Sequence, residues 1–255
     1  MSQHYFERIG IIAFAVLLAL ILKMFVVDVV WVPTRSMEST ILPGDYILIN
    51  KLITSTSLFT NAAFPTLNIP ISRIHRGDVL VFEFPSSNIV RSNFSPRKLI
   101  KRCIGLPGDV VEIRKGRVLI NGEILDFNNI YNKNINFDSV VVPQKGMTIM
   151  LDKRNIVKWE KIIRLEGHEV AISDSEIVID GKPSYSYTIH DDYLFMLGDN
   201  LKDSYDSRDW GFLPVKNVIG RATLIYWSAD AASPIKNISD FISSIRWNRI
   251  GTFIY

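Results

Sequence analysis

At 255 residues, 47% hydrophobic and 22% charged, the chain can bury one large core or two small ones, and it is too apolar to be disordered. A net charge of +3, with no basic stripe interleaved with aromatics, excludes nucleic-acid binding as the main activity. The single cysteine, Cys103, excludes an intrachain disulfide and a cysteine-rich metal site.

The first predicted element is an apolar helix. Ile9–Leu22 (IGIIAFAVLLALIL) is unbroken, Lys23 interrupts it, and Met24–Val27 resume it. Nineteen residues at a rise of 1.5 Å reach about 28 Å, enough for a bilayer core if Lys23 snorkels to a headgroup layer. The run has no polar face, which argues against a buried soluble helix. A cleaved signal peptide is the other reading, but the only Ala-x-Ala, Ala13-Phe14-Ala15, lies inside the run and no small-x-small site follows it. The expectation is therefore a short N-terminal segment, 1–8, followed by a transmembrane anchor over 9–28. Arg8 before the run and Asp28 after it favour the N-terminus inside, and Lys23 opposes this, so the residues leave orientation open.

Beyond the anchor the chain reads as mostly β. DYILIN (45–50), GDVLVFEF (77–84), DVVEIRKGRVLING (109–122), EIVIDGKP (176–183), DYLFMLGD (192–199) and GRATLIYWS (220–228) are short, rich in β-branched or aromatic residues, and bounded by Gly, Asp or Pro. The segment 111–120 predicts a hairpin turning at Lys115-Gly116. Residues 54–70 predict a surface excursion, 126–175 a β subdomain with long loops, and 234–247 a short C-terminal helix.

Few residues offer chemistry. There is no G-x-S-x-G elbow and no H-E-x-x-H. The four histidines, His4, His75, His168 and His190, are scattered, so no metal site is expected. His190-Asp191-Asp192 is the one candidate for a histidine–aspartate pair beside a serine, against its plainer reading as a polar turn. The acidic stretch 199–209 lacks the central Gly and closing Glu of a calcium loop.

A lysine is the other possible proton acceptor for a serine. Its pKa, ordinarily near 10.4, has to fall by burial before the free amine exists at neutral pH. Lys101 lies in LIKRCIGLPGD (99–109), an apolar strand pattern in which Lys101 and Arg102 point to opposite faces, leaving one to be buried and the other to meet solvent or an acid. Strand lysines are ordinarily solvated, so the pattern alone leaves this open. Ser36, in PTRSMEST (33–40) just after the apolar run, is the candidate nucleophile.

Taken in order, the apolar anchor, VPTRSMESTILPGDYILINK (32–51), RGDVLVFEFP (76–85), KLIKRCIGLPGD (98–109), LGDNLKDSYDSRDWGFLP (197–214) and VIGRAT (218–223) resemble the type I signal peptidases, membrane-anchored serine proteases of a Ser-Lys type. The resemblance covers roughly a third of the chain, and the combination is specific although each segment alone is weak. It implies Ser36 as nucleophile, Lys101 as general base, Thr34 as an oxyanion donor with the Ser36 N–H, and Ser204 as the hydroxyl orienting the lysine. Asp206 and Arg208 match a supporting ion pair, and Val32, Pro33, Met37, Ile41, Leu99 and Ile100 match residues lining small-residue pockets. Arg35 departs from the Gly or small residue common before the nucleophile.

The resemblance further implies a signal-peptidase-like β fold with a catalytic core over 29–108 and 194–255 and an inserted β subdomain over 109–193. It implies signal peptides of exported pre-proteins as substrates, cut after a small-x-small motif, the phospholipid bilayer as a partner, and neither cofactor nor metal. The protein would sit in the cytoplasmic membrane as a single-pass protein with its catalytic domain on the extracytoplasmic side. Rival readings are a mitochondrial inner-membrane relative, a Ser-Lys enzyme of the self-cleaving repressor type, and a tethered, non-catalytic peptide-binding β domain.

Overall fold

The structure is a computed structural model that describes residues 2–53, 73–84, 98–125, 135–173, 176–230 and 236–255; within the N-terminal helix the described side chains are those of 8–20 and 23. The predicted excursion over 54–70 lies outside the described residues.

The chain begins with helix α1 (Ser2–Phe25), followed by strands β1 (Val27–Trp31), β2 (Asp45–Asn50), β3 (Val79–Glu83) and β4 (Lys98–Gly105). Next come β5 (Val110–Arg114), β6 (Arg117–Ile120), β7 (Glu123–Ile124), β8 (Phe137–Val141), β9 (Thr148–Met150) and helix α2 (Ile156–Leu165). Short strands β10 (Val170–Ile172), β11 (Ile177–Ile179), β12 (Lys182–Pro183) and β13 (Ser186–Thr188) lead to β14 (Tyr193–Leu197), helix α3 (Ser207–Trp210), β15 (Leu213–Pro214), β16 (Val218–Ser228) and helix α4 (Ile238–Ser244). The fold is mostly β.

Two compact units share these elements: residues 1–34, 41–74 and 219–255 form the first, and 35–40 with 75–218 the second. In the first, β2 is the centre of an antiparallel ladder. It pairs with β1 (Trp31 opposite Tyr46, Val27 opposite Asn50) and with β16 (Ser228 opposite Asp45, Arg221 opposite Asn50). Alternation in DYILIN sends Ile47 and Ile49 inward, both fully buried, as the period of a strand requires. Helix α1 ends at Phe25, short of the expected anchor end at 28. Val27 and Asp28 are instead strand, because the β-branched run Val26, Val27, Val29, Val30 finds a ladder in β2. Apolar residues of α1 from Ile9 to Leu20 are all exposed. Among the described residues no helix is long and apolar enough to cross a membrane.

In the second unit β3, β4, β14 and β15 pair antiparallel in that order, with Leu80 opposite Lys101 and Leu197 opposite Arg102. The unit also holds the sheet β7-β6-β5-β8, the pair β9-β13 and the three strands β10-β11-β12. Their apolar faces meet in one core that includes Ile104, Val111, Ile113, Trp159, Ile163, Tyr193 and Phe195. Cys103 is buried in β4, and burial pushes its thiol pKa up. Helix α2 lies inside the span expected to be β with long loops. Its buried residues Ile156, Trp159, Ile162 and Ile163 follow the helical period and pack into this core.

Candidate active site

Ser36 sits in the tight turn 35–40, which is closed by Glu38 N–H to the Arg35 carbonyl (3.0 Å) and Thr40 N–H to the Met37 carbonyl (2.9 Å). Asn200 N–H donates to the Ser36 carbonyl at 3.0 Å, tying the turn to the segment after β14. Strand β4 carries Lys101 beside it: the Lys101 Nζ donates to Ser36 Oγ at 2.6 Å across sixty-five positions of sequence. Lys101 is 3% exposed and Ser36 7%. The two side chains lie within hydrogen-bond reach of each other and are shielded from water.

Burial does to Lys101 what a base needs. Desolvation lowers its pKa to about 8, although the carboxylates of Asp206 and Asp199 pull upward; Arg208 adds a smaller push down. Its neighbour Arg102 faces the other way from β4 and is also buried, at 2%. The acid it meets is Asp199, in a two-pronged contact with Nε–Oδ1 at 2.8 Å and Nη2–Oδ2 at 2.6 Å. Arg102 Nη1 donates to the Gly77 carbonyl at 2.7 Å and Nη2 to Thr40 Oγ1 at 3.1 Å; Thr40 in turn donates to Asp199. A buried guanidinium is tolerable only when its donors are met, and its planar fork suits a carboxylate. This network fixes β4, the nucleophile turn and the segment after β14 to one another.

Asp206 serves several partners at once. Its carboxylate takes Arg208 Nε at 2.7 Å and Nη2 at 2.8 Å, and accepts the Gly198 N–H at 3.1 Å. It also caps α3, while Asp209 returns the favour by accepting the Asp206 N–H at 3.0 Å. Arg208 Nη2 reaches on to the Leu201 carbonyl at 3.0 Å. Gly198 is needed for space: a Cβ there would lie 2.1 Å from Ser204 Oγ and 2.5 Å from the Ser36 carbonyl oxygen. Gly198→Ala is accordingly expected to lower turnover at least about 100-fold by displacing the nucleophile turn. Ser204→Ala does not rescue it, because the clash with the Ser36 carbonyl persists; kinetics of the single and double variants check this.

Of the other sequence-derived residues, Ser204 is not brought into hydrogen bonding with Lys101. Its Oγ is buried and has no hydrogen-bond partner among the described residues. Thr34 is exposed, two positions before Ser36. Val32, Met37 and Ile41 are core side chains, and Met37 Sδ accepts the Asp199 N–H at 3.5 Å. Pro33 is exposed, Leu99 half-buried and Ile100 buried. Arg35 is exposed, and its carbonyl accepts Asn200 Nδ2 at 3.2 Å. His190-Asp191-Asp192 is engaged elsewhere in the unit. The N–H groups of His190 and Asp191 donate to Glu166, Lys216 pairs with Asp191, and Asp192 accepts the Lys145 N–H. Sequence reading missed Asp199, Thr40 and Asn200. Their signal was the acid partner that a buried Arg102 demands.

Residues 5–227 match the sequence model of the family described as signal peptidase, peptidase S26. Signal peptidase I of Pseudomonas aeruginosa is 31% identical over 237 residues, covering 87% of this chain and 73% of that one. Signal peptidase I of Aquifex aeolicus is 27% identical over 249 residues, covering 91% and 88%. The crystal structure of a signal peptidase I from Enterococcus faecalis V583 is 24% identical and overlaps 60% of this chain and 99% of its own at a TM-score of 0.32, too small an overlap to argue from. With the family match running over most of its length and a relative 31% identical, the chain belongs to the signal peptidase family, peptidase S26, and is a serine protease of that type.

Proposed function

We propose that the protein removes signal peptides from exported pre-proteins by acyl transfer from substrate to Ser36 and then to water, with Lys101 as the general base. The observation that carries this reading is the 2.6 Å contact between Lys101 Nζ and Ser36 Oγ in a buried setting that favours the neutral amine. The amine takes the seryl proton as Oγ attacks the carbonyl after a small residue. The Ser36 N–H and the Thr34 hydroxyl are assigned to the developing oxyanion. The Lys101 ammonium then protonates the departing amine, leaving an ester on Ser36, and the restored amine activates the water that releases it. Ser204 is assigned to orient the lysine, a role its unpartnered hydroxyl leaves it free to take. Asp206 and Arg208 are assigned to hold the loop behind it.

The substrate binds extended, as an added strand, with small residues in shallow apolar pockets to which Pro33, Leu99 and Ile100 contribute. The exposed apolar side chains of α1 from Ile9 to Leu20 support a role for this helix as a bilayer anchor, with the remainder of the chain on the extracytoplasmic side and 109–193 as an insert in the catalytic core.

The reading is tested by cleavage of a pre-protein carrying Ala-x-Ala before its scissile bond, measured from pH 5 to 10. The base is active when unprotonated, so kcat/KM is expected to rise with pH and level off above about 8, where Lys101 has lost its proton. A profile rising only near the ordinary lysine value, or no cleavage at any pH, would show the reading to be wrong.

A further inference from the structure

A cavity of about 300 Å³ opens in the second unit beside α2 and α3, and neither Ser36 nor Lys101 lines it. Its walls are aromatic and aliphatic, among them Phe137, Phe195, Trp210 and Phe212, and two lysines of α2, Lys158 and Lys161, stand on it. The charges there do not cancel. Arg208 and Asp209 also line it, but Arg208 is taken by Asp206 and Asp209 by the Asp206 N–H. Lys161 is half-buried, donates to the Trp210 carbonyl, and among the described residues has no carboxylate partner. Lys158 Nζ lies 5.5 Å from the Trp159 ring and likewise has no described carboxylate. Trp210 is 2% exposed, and among the described residues its buried indole N–H has no acceptor. An unanswered donor and an unanswered cation on the same apolar cavity are costly unless a ligand supplies the missing acceptors.

We propose that this cavity is a second binding site, for a carboxylate carried on a short apolar body. The carboxylate meets Lys161 and the Trp210 N–H, and the apolar body lies against Phe137, Phe195 and Phe212. At about 30 Å³ per heavy atom the volume holds about ten of them, the size of octanoate. The lowered pKa of Lys161, set by burial, is consistent with a cation lacking its counter-charge. Free fatty carboxylates and the C-terminal carboxylate of an apolar peptide share this chemistry. Because α3 is capped by Asp206, whose charge acts on Lys101, occupancy also touches the support of the proposed base.

The test uses full-length protein labelled with 5-fluorotryptophan in lipid nanodiscs, with empty nanodiscs correcting for partitioning and Trp210→Phe identifying the Trp210 ¹⁹F signal. Octanoate is titrated alongside octanol, octylammonium and N-acetylleucine. Octanoate, N-acetylleucine or both are expected to shift the Trp210 signal saturably, with Kd on the order of 0.1–1 mM. Which of the two binds separates a fatty source from a peptide one. Lys161→Met and Val157→Glu, the latter placing a like charge at the exposed rim, each weaken binding at least about tenfold; retained pre-protein cleavage shows that these variants fold. No saturable shift with either carboxylate, equal binding of octylammonium or octanol, or unchanged affinity in Lys161→Met would each overturn the proposal.

Discussion

Lys101→Met is expected to leave pre-protein cleavage at background, at least about 10⁴-fold below wild type, in a chain that is harder to unfold. Ser36→Ala is expected to lose as much activity, and the double variant no more than either single one, because the two residues act as a unit. The gain in stability follows from the charge. Folding takes the lysine from an ordinary pKa of 10.5 to about 8, so the unfolded chain holds this proton more tightly. Below pH 8 the wild type therefore carries the full penalty of a buried ammonium, which shrinks as pH rises from about 8 to 10.5. Methionine, of similar length and uncharged, removes that penalty, worth on the order of 3 kcal/mol at pH 7. Denaturant unfolding at pH 7 and pH 10 checks both parts: the wild type gains stability between the two, and Lys101→Met does not gain it. A Lys101→Met chain with near-normal turnover would remove the dyad from the mechanism.

Asp199→Ala produces the largest loss of stability. It strands Arg102, 2% exposed, without its carboxylate, and the loss of one partner of such a buried pair costs about 3–5 kcal/mol. For a chain of this size that lowers Tm by roughly 10 °C. Thr40 loses its acceptor at the same time, and the next residue, Asn200, holds the Ser36 carbonyl, so activity falls with stability. Replacing both ions, Arg102→Met with Asp199→Leu, is expected to return much of the stability, since the desolvation of two charges disappears with their attraction. Thermal scans of the two variants beside the wild type decide this. A double variant no more stable than Asp199→Ala would mean that the pair contributes beyond its own charges.

These two expectations differ in how visible their residues were in the sequence. Ser36 and Lys101 were only candidates on their local patterns, a turn after an apolar run and a lysine inside an apolar strand, and it was the resemblance of several ordered segments that assigned their roles. The hairpin at Lys115-Gly116 was equally local: both residues adopt positive φ, 49° and 75°, as a tight turn between twisted strands requires. Asp199 had no such mark, because its partner Arg102 lies 97 positions away and only the folded sheet brings them together. Strand β1 was hidden by composition, since VVDVVW continues the apolar run and only pairing with β2 distinguishes the two. Helix α2 has a clear period but spans only ten residues, too short to be distinguished from a strand-rich stretch by pattern alone, and packing rather than propensity stabilises it. Ser204 was given a bond to the lysine by resemblance alone, and among the described residues its hydroxyl is unpartnered.

Cys103, sealed in β4 with its thiol pKa raised, has a practical side. The reactive species toward maleimides is the thiolate, and a thiol both inaccessible and reluctant to ionise supplies almost none of it. As it is the only cysteine in the sequence, the native chain already behaves as a cysteine-free background for labelling. A cysteine placed at an exposed position such as Val157 takes up a fluorophore or spin label alone. Motions of α2 can thus be followed with the natural residue at 103 left in place, sparing a fully buried position of β4 from repacking.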